Sequence, residues 1–187
     1  SHTSTHGAMG AMAFGIGSSE LVHVMATQPI RQRRPKAMRI TIDGELGPGI
    51  EPKDVILHII GQLGVAAGTG HAVEYAGSTI ANMSMEGRLT ICNLSIEFGA
   101  RMGMVAADDT TFEYLRDKPL APKGEAWEQA LAYWRTMNSD EGAVFDREVS
   151  IDATEIIPQI TWGTSPGQTM AVDENIPGPE SFAEAEQ

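Results

Sequence analysis

Residues 37–63 have the sequence AMRITIDGELGPGIEPKDVILHIIGQL and predict a β-strand, a turn and an α-helix in succession. Apolar and polar side chains alternate over the first seven residues, which is typical of a strand with one buried face. Glycines and a proline then indicate a turn. Pro52 stands where a helix tolerates proline best, in its first turn. The apolar side chains that follow share one helix face: Val55, Ile56, Ile59, Ile60 and Leu63.

The alternation of strands and helices continues on both sides of this stretch. A Gly-rich loop followed by a helix is expected over 1–28, and extended or partly disordered chain is expected beyond Trp162, where Gly and Pro are dense. Alternating strands and helices indicate an α/β fold, with the order of the strands left open. Further strands are predicted at 71–75, 104–106 and 145–151, and further helices at 84–100, 110–116 and 124–137.

Composition limits the class of protein. The chain has 187 residues, 42% of them hydrophobic, which is enough for the core of one ordinary domain. Its formal net charge of −12 argues against nucleic acid or an acidic membrane as the main partner. No apolar run reaches the roughly 18 residues of a membrane span. The single cysteine, Cys92, excludes an internal disulfide framework and fits a reducing compartment, so a cytoplasmic location is predicted.

Two histidines are the first candidates for chemistry. His2 and His6 are four residues apart, so on an α-helix they would share a face, as pairs of metal ligands do. The residues between them and Gly7 favour a loop instead, and no third ligand is evident. Ordinary loop histidines are a second interpretation. An acid–base role for one of them is a third, because imidazole titrates near working pH.

A polar stripe along the predicted helix at 84–100 is the second candidate. Glu86, Thr90, Asn93 and Glu97 fall at successive turns beside an apolar stripe. The rest of this helix is nearly all apolar, so a carboxylate buried there needs a partner. Asn93 and Glu97 lie one turn apart and could grip one small polar group together. The alternative is a solvent-facing stripe on a core helix.

Three other features admit ordinary interpretations. The stretch 15–19 precedes a helix and could offer backbone N–H groups to an anion, but a nucleotide loop lacks support because no Gly-Lys-Ser/Thr follows. The basic run at 31–39 fits either a phosphate or acidic partner, or a solvated loop around two prolines. Cys92 lies in an apolar stripe and is interpreted as a packed side chain rather than a nucleophile.

Several motifs, in the right order, resemble the aconitase superfamily. The sequence SHTSTHGA at 1–8 is similar to the continuation of that family's Asp-Ser-His-Thr motif, and TICNLSIEFGA at 90–100 resembles its Cys-Asn-x-x-x-Glu helix. Together they make the resemblance specific, and it covers essentially the whole chain. Further matches lie at 68–75, 85–88, 140–143 and 161–168.

The resemblance implies an aconitase-like three-layer α/β/α fold that is incomplete. It divides the chain into the end of a first α/β domain at 1–36, a second α/β domain at 37–150, and the start of a third at 151–187, extended or partly disordered. It also implies a hydro-lyase acting on a small 2-hydroxy dicarboxylic acid, with a [4Fe-4S] cluster in the full-length protein and a separate small subunit as partner.

The family pattern also assigns roles to four residues. His2 would help to protonate the departing hydroxyl, Glu97 and Asn93 would orient that histidine and the reacting oxygen, and Ser1 would bind substrate. The Asp that precedes this Ser in the family is not in the chain, and neither are the three cluster cysteines, since Cys92 matches a cysteine that is not a ligand. We therefore expect an internal piece that by itself binds no cluster and turns over nothing. A non-catalytic RNA- or metal-binding module is the alternative from another class.

Overall fold

The computed structural model describes residues 2–178 and Ser181. Four parallel strands form its main sheet, in the order β3-β2-β1-β4. The first strand therefore lies inside the sheet, the next two strands are added on one side of it, and the fourth strand pairs with its other side. The predicted α/β fold is confirmed. The strands are β1 (Lys36–Asp43), β2 (His71–Ala76), β3 (Met102–Val105) and β4 (Arg147–Asp152).

Helices connect these strands, and a small antiparallel hairpin follows them. The hairpin consists of β5 (Gln159–Thr161) and β6 (Thr169–Ala171). The described α-helices are α1 (Ser18–Thr27), α2 (Pro52–Leu63), α3 (Ser78–Ala81), α4 (Met85–Leu94), α5 (Asp109–Arg116) and α6 (Glu125–Trp134). Short 3₁₀ helices cover His2–Met9, Ser95–Phe98 and Ala153–Glu155.

The core lies between one face of the sheet and helices α2 and α4. Alternate residues of β1 face it, and the predicted apolar face of α2 is buried in it because a 3.6-residue period brings those side chains to one side. Removing these side chains from water stabilises the strand–helix unit. Seven of them are completely buried: Met38, Ile40, Ile42, Val55, Ile56, Ile59 and Ile60.

The opposite face of the sheet is only partly covered. Ala37, Arg39 and Thr41 of β1 point to this side and are half-buried. An apolar groove of about 800 Å³ lies between the sheet and helices α5 and α6. The second helical layer is therefore incomplete.

Three predicted elements differ from the structure near the candidate site. The expected loop at the beginning of the chain is the 3₁₀ helix His2–Met9. The helix predicted at 84–100 ends as α4 at Leu94 and continues as a 3₁₀ turn, which Gly99 closes with a φ of +83°. Helix α5 begins at Asp109, one residue before its predicted start, because the side chain of Asp108 caps it by accepting from Thr111 N.

The region beyond Trp162 is more ordered than predicted, because β6 pairs with β5 and the hairpin packs on α2. Residues 179–180 and 182–187 of the predicted third domain lie outside the described residues. The domain boundaries stay predictions. Strand β4 runs across residue 150, where one of them was placed.

Candidate active site

The 3₁₀ helix His2–Met9 is fixed against α4 and the edge strand β3. A Cβ atom at Gly7 would lie 1.7 Å from the carbonyl oxygen of Gly103, so only glycine permits this approach. The buried hydroxyl of Ser4 donates to the carbonyl oxygen of Cys92 over 2.8 Å. These contacts place the start of the described chain beside the end of α4, although 88 residues separate Ser4 from Cys92.

His2 and Glu97 meet at this junction. His2 Nε2 lies 3.0 Å from Glu97 Oε1, and the two side chains are 43% and 29% exposed. A carboxylate oxygen accepts, so Nε2 carries the hydrogen of this bond. The pair is thus directly hydrogen-bonded and open to solvent on one side.

Asn93 reaches the same segment through a threonine. Its Nδ2 donates to Thr5 Oγ1 over 2.8 Å, and Thr5 Oγ1 donates to the backbone carbonyl of His2 over 2.6 Å. The structure therefore places Asn93 beside the histidine segment, where its side chain donates to Thr5 rather than to the imidazole. Sequence reasoning did not single out Thr5, although this residue lies within the motif at 1–8.

A buried polar pair supports the turn that carries Glu97. Ser95 Oγ donates to Ile91 O over 2.9 Å and lies 2.7 Å from the hydroxyl of Tyr75 on β2. Burial raises the pKa of Tyr75, so the phenol stays protonated. A Cβ at Gly103 would lie 2.0 Å from Ser95 Oγ, so the neighbouring strand leaves room for this pair only with glycine there.

A buried arginine anchors the other end of α4. The side chain of Arg88 is fully buried and makes two bonds of 2.7 Å to the carboxylate of Asp108, with a further bond to Ala81 O. Burial raises the pKa of Asp108, but hydrogen bonds from Arg88 and from Thr111 outweigh this and hold that pKa below its usual range. The anchor fixes α4 and hence Asn93. The motif at 85–88 contributed to the family resemblance, but the sequence alone gave Arg88 no anchoring role.

The structure brings three predicted site residues together and leaves others apart. His2, Glu97 and Asn93 lie in one cluster, whereas Ser1 lies outside the described residues. His2 and His6 do not share a helix face, because their segment is a 3₁₀ helix, which advances about 120° per residue and separates positions four apart by about 120°. No group of three potential ligands suited to a metal ion occurs within residues 2–178 and 181.

Two further candidates for binding an anion remain, the stretch 15–19 and the basic run at 31–39, and they differ in outcome. The amide of Gly17 at the start of α1 donates to Glu20 Oε2 over 2.9 Å, so the protein's own carboxylate occupies the proposed anion position. From the basic run, Arg39 pairs with Glu74 on β2. Four members line an open cleft of about 850 Å³ together with Arg101: Arg31, Arg33, Arg34 and Lys36.

The described residues do not fit a [4Fe-4S] cluster. Such clusters are held by several cysteine thiolates. Cys92 is the only cysteine, it is completely buried, and burial raises its pKa to about 12, so it is a neutral thiol near pH 7. Its interpretation as a packed side chain agrees with this environment.

Comparison with known proteins decides the family. The model of the Aconitase family (aconitate hydratase) matches residues 1–187. The chain belongs to the aconitase family. In this aconitase-family chain, the junction of the 3₁₀ helix with the end of α4 is therefore the natural candidate for the active site. Among the described residues, no helix combines the length and apolar character needed to cross a membrane.

A curated relative is similar over almost the whole chain. It is named 3-isopropylmalate dehydratase large subunit 1, from Bradyrhizobium diazoefficiens, and it is 61% identical over 184 residues. The match covers 98% of this aconitase-family chain and 39% of the relative. The chain thus spans about two fifths of the length of the relative that it matches.

Proposed function

We propose that this chain is part of the large subunit of a 3-isopropylmalate dehydratase. Such an enzyme interconverts 2-isopropylmalate and 3-isopropylmalate by loss and return of water in leucine biosynthesis. The observation that carries the proposal is the 3.0 Å contact between His2 and Glu97, made by the two motifs that resemble the family's proton-handling residues. The similarity to a dehydratase large subunit supports the choice of substrate.

In this proposal His2 is the acid that protonates the departing hydroxyl. Its Nε2–H is given to Glu97, and this bond holds the ring in one orientation. The Glu97 carboxylate orients the ring through this hydrogen bond, and the half-exposed ring remains accessible to a small substrate. Asn93, held by Thr5, supplies a fixed amide beside this pair.

The remaining parts of the site lie outside the described residues. We propose that Ser1 contacts the substrate, a small 2-hydroxy dicarboxylic acid, and that a separate small subunit completes the enzyme in the cytoplasm. The [4Fe-4S] cluster implied by the resemblance would be held by cysteines outside this sequence. The proton-handling steps above depend only on this chain's side chains.

The test uses the full-length large subunit, assembled with its small subunit and reconstituted anaerobically with iron and sulfide. With 2-isopropylmalate as substrate, His2→Asn and Glu97→Gln should each lower kcat by about 10²-fold or more, the range for general acid–base groups. His23→Asn changes an exposed histidine on α1 and should leave kcat unchanged. Wild-type-like turnover by His2→Asn would refute the assigned acid.

A substrate panel on the same complex separates the proposed enzyme from its siblings. Preference for 2-isopropylmalate supports the proposal, whereas preference for homocitrate would make the chain part of a homoaconitase or another 2-hydroxyacid dehydratase. The 187 residues alone should give neither turnover nor the visible absorption of a bound cluster after the same reconstitution. A stable cluster or turnover from these residues would contradict this expectation.

A further inference from the structure

Two hydrogen bonds in series join α4 to the backbone of His2. Asn93 Nδ2 lies 2.8 Å from Thr5 Oγ1, which in turn lies 2.6 Å from His2 O. A carbonyl oxygen can only accept, so the hydroxyl hydrogen of Thr5 is directed at His2. The oxygen of Thr5 must then accept from Asn93. The carbonyl oxygen of His2, which can only accept, therefore fixes which atom donates in both bonds.

This direction selects one of two orientations of the Asn93 amide. Turning the amide by 180° would place Asn93 Oδ1 against Thr5 Oγ1, and these two acceptors would repel each other because the only hydrogen between them is already given to His2. Thr5 thus keeps Nδ2 on its own side and turns Oδ1 away. The half-buried amide of Asn93 is therefore presented to a ligand in a single orientation.

The same hydroxyl also holds the backbone of His2. A threonine bond to a carbonyl three residues earlier is by itself an ordinary local contact. Here it continues to α4, across 88 residues of sequence, and α4 leads directly into the turn that carries Glu97. Thr5 therefore connects the segment that carries the imidazole with the segment that carries its carboxylate partner.

We propose that Thr5 is a positioning residue for this site. Through its hydroxyl it sets the orientation of the Asn93 amide and holds His2 at hydrogen-bonding distance from Glu97. The proposal rests on the proposed function in one respect only, namely that these groups serve a dehydration. The geometry that Thr5 maintains can be measured without turnover.

The kinetic test compares Thr5→Val with Thr5→Ser in the assembled full-length enzyme. Valine has nearly the shape of threonine without the hydroxyl, so kcat should fall about tenfold, as expected for the loss of one or two neutral hydrogen bonds, with KM changed less than about threefold. Serine keeps the hydroxyl and should retain kcat within about twofold. Thr27→Val removes a comparable bond to His23 O on α1 and should leave kcat and KM unchanged.

A double-mutant cycle tests the connection itself. If Thr5 acts through Asn93, Thr5→Val combined with Asn93→Ala should be no slower than the slower single variant, because both remove the same link. Effects that multiply would overturn the connection. Thr5→Ala, which cannot overpack the site, should show the same loss as Thr5→Val. A loss of kcat in Thr5→Val but not in Thr5→Ala would mean that valine packs poorly at this position, and it would also overturn the proposal.

Crystal structures of the wild-type and Thr5→Val complexes give a readout that does not depend on activity. The proposal expects the Asn93 amide to turn or the distance between His2 Nε2 and Glu97 Oε1 to exceed hydrogen-bonding range in the variant. An unchanged amide and an unchanged pair would overturn it. Absence of dehydratase activity in the wild-type complex would refute the proposed function but leave this structural comparison valid.

Discussion

At the scale of single residues, burial decides which polar groups can react. The half-exposed His2 and Glu97 are accessible, whereas Cys92, Tyr75 and Arg88 are completely or almost completely buried and are held by the core. Glu97 and the packed Cys92 occur within a few residues of each other, on the turn that follows α4 and on α4 itself. Their different exposure assigns them different roles.

Cys92 should be inert in the folded 187-residue chain. Burial raises its pKa to about 12, so at pH 8 almost no thiolate is present, and the sulfur is shielded from solvent. Ellman's reagent should label less than about a tenth of the protein in native buffer and one thiol per chain in denaturant. Rapid stoichiometric labelling of the native chain would contradict the buried environment.

At the scale of elements, α4 is positioned from both of its ends. Arg88 and Asp108 fix its beginning against α5, and Ser95 with Tyr75 fixes its end against β2. The 3₁₀ helix at 2–9 then packs on it through Gly7. Asn93 and Glu97 are held by packing between elements that are distant in sequence, and a change at either end of α4 should be transmitted to them.

Asp108→Asn should destabilise the chain by about 3 kcal/mol, because it leaves the charge of the fully buried Arg88 without its carboxylate. Asp109→Asn, at the next position, breaks an exposed pair with Arg135 and should cost less than about 1 kcal/mol. Urea unfolding at pH 7 measures both. Equal effects of the two substitutions would show that burial of Arg88 does not matter.

The pH dependence of this difference has a defined sign. The pKa of Asp108 is lowered in the folded state, so the carboxylate contributes stability above its unfolded pKa of about 3.9 and loses it as the pH falls through the lower folded value. The difference between wild type and Asp108→Asn should therefore shrink below about pH 4. A difference that grows with acidification would contradict the lowered pKa.

At the scale of the whole molecule, the described chain buries one face of its sheet and leaves other apolar surface open. Helix α1 has no buried residue, although Leu21, Val22 and Met25 are apolar, and a groove remains between the sheet and helices α5 and α6. Stability of the 187 residues is therefore concentrated in the β1–α2 unit and its neighbours.

Substitutions on α1 and α2 should distinguish the exposed surface of α1 from the buried face of α2. Val22 is 68% exposed, so Val22→Asp should change the unfolding free energy of the 187-residue chain by less than about 0.5 kcal/mol. Ile56 is completely buried, so Ile56→Ala should cost about 2–5 kcal/mol through lost contacts and a cavity. Urea unfolding again provides the measurement, and a large cost for Val22→Asp would show that α1 is packed in solution.

Local patterns in the amino-acid sequence were enough to predict several elements. The alternation in β1, Pro52 and the apolar face of α2 depend on residues a few positions apart, and the observed elements match those predictions closely. The two polar motifs at 1–8 and 90–100 also indicated His2, Asn93 and Glu97 as candidate site residues. A period of two or of 3.6 residues is visible in any single chain, because it reflects only the geometry of one strand or helix.

The arrangement of these elements, in contrast, follows from contacts that no local pattern reveals. The strand order β3-β2-β1-β4, the break between α4 and its 3₁₀ turn, and the link from Asn93 through Thr5 to His2 all depend on contacts between distant residues. The exclusion of a shared face for His2 and His6 depends on the 3₁₀ geometry of the segment that packs on β3. Such contacts leave no local period in the sequence, because their partners are brought together only when the core closes.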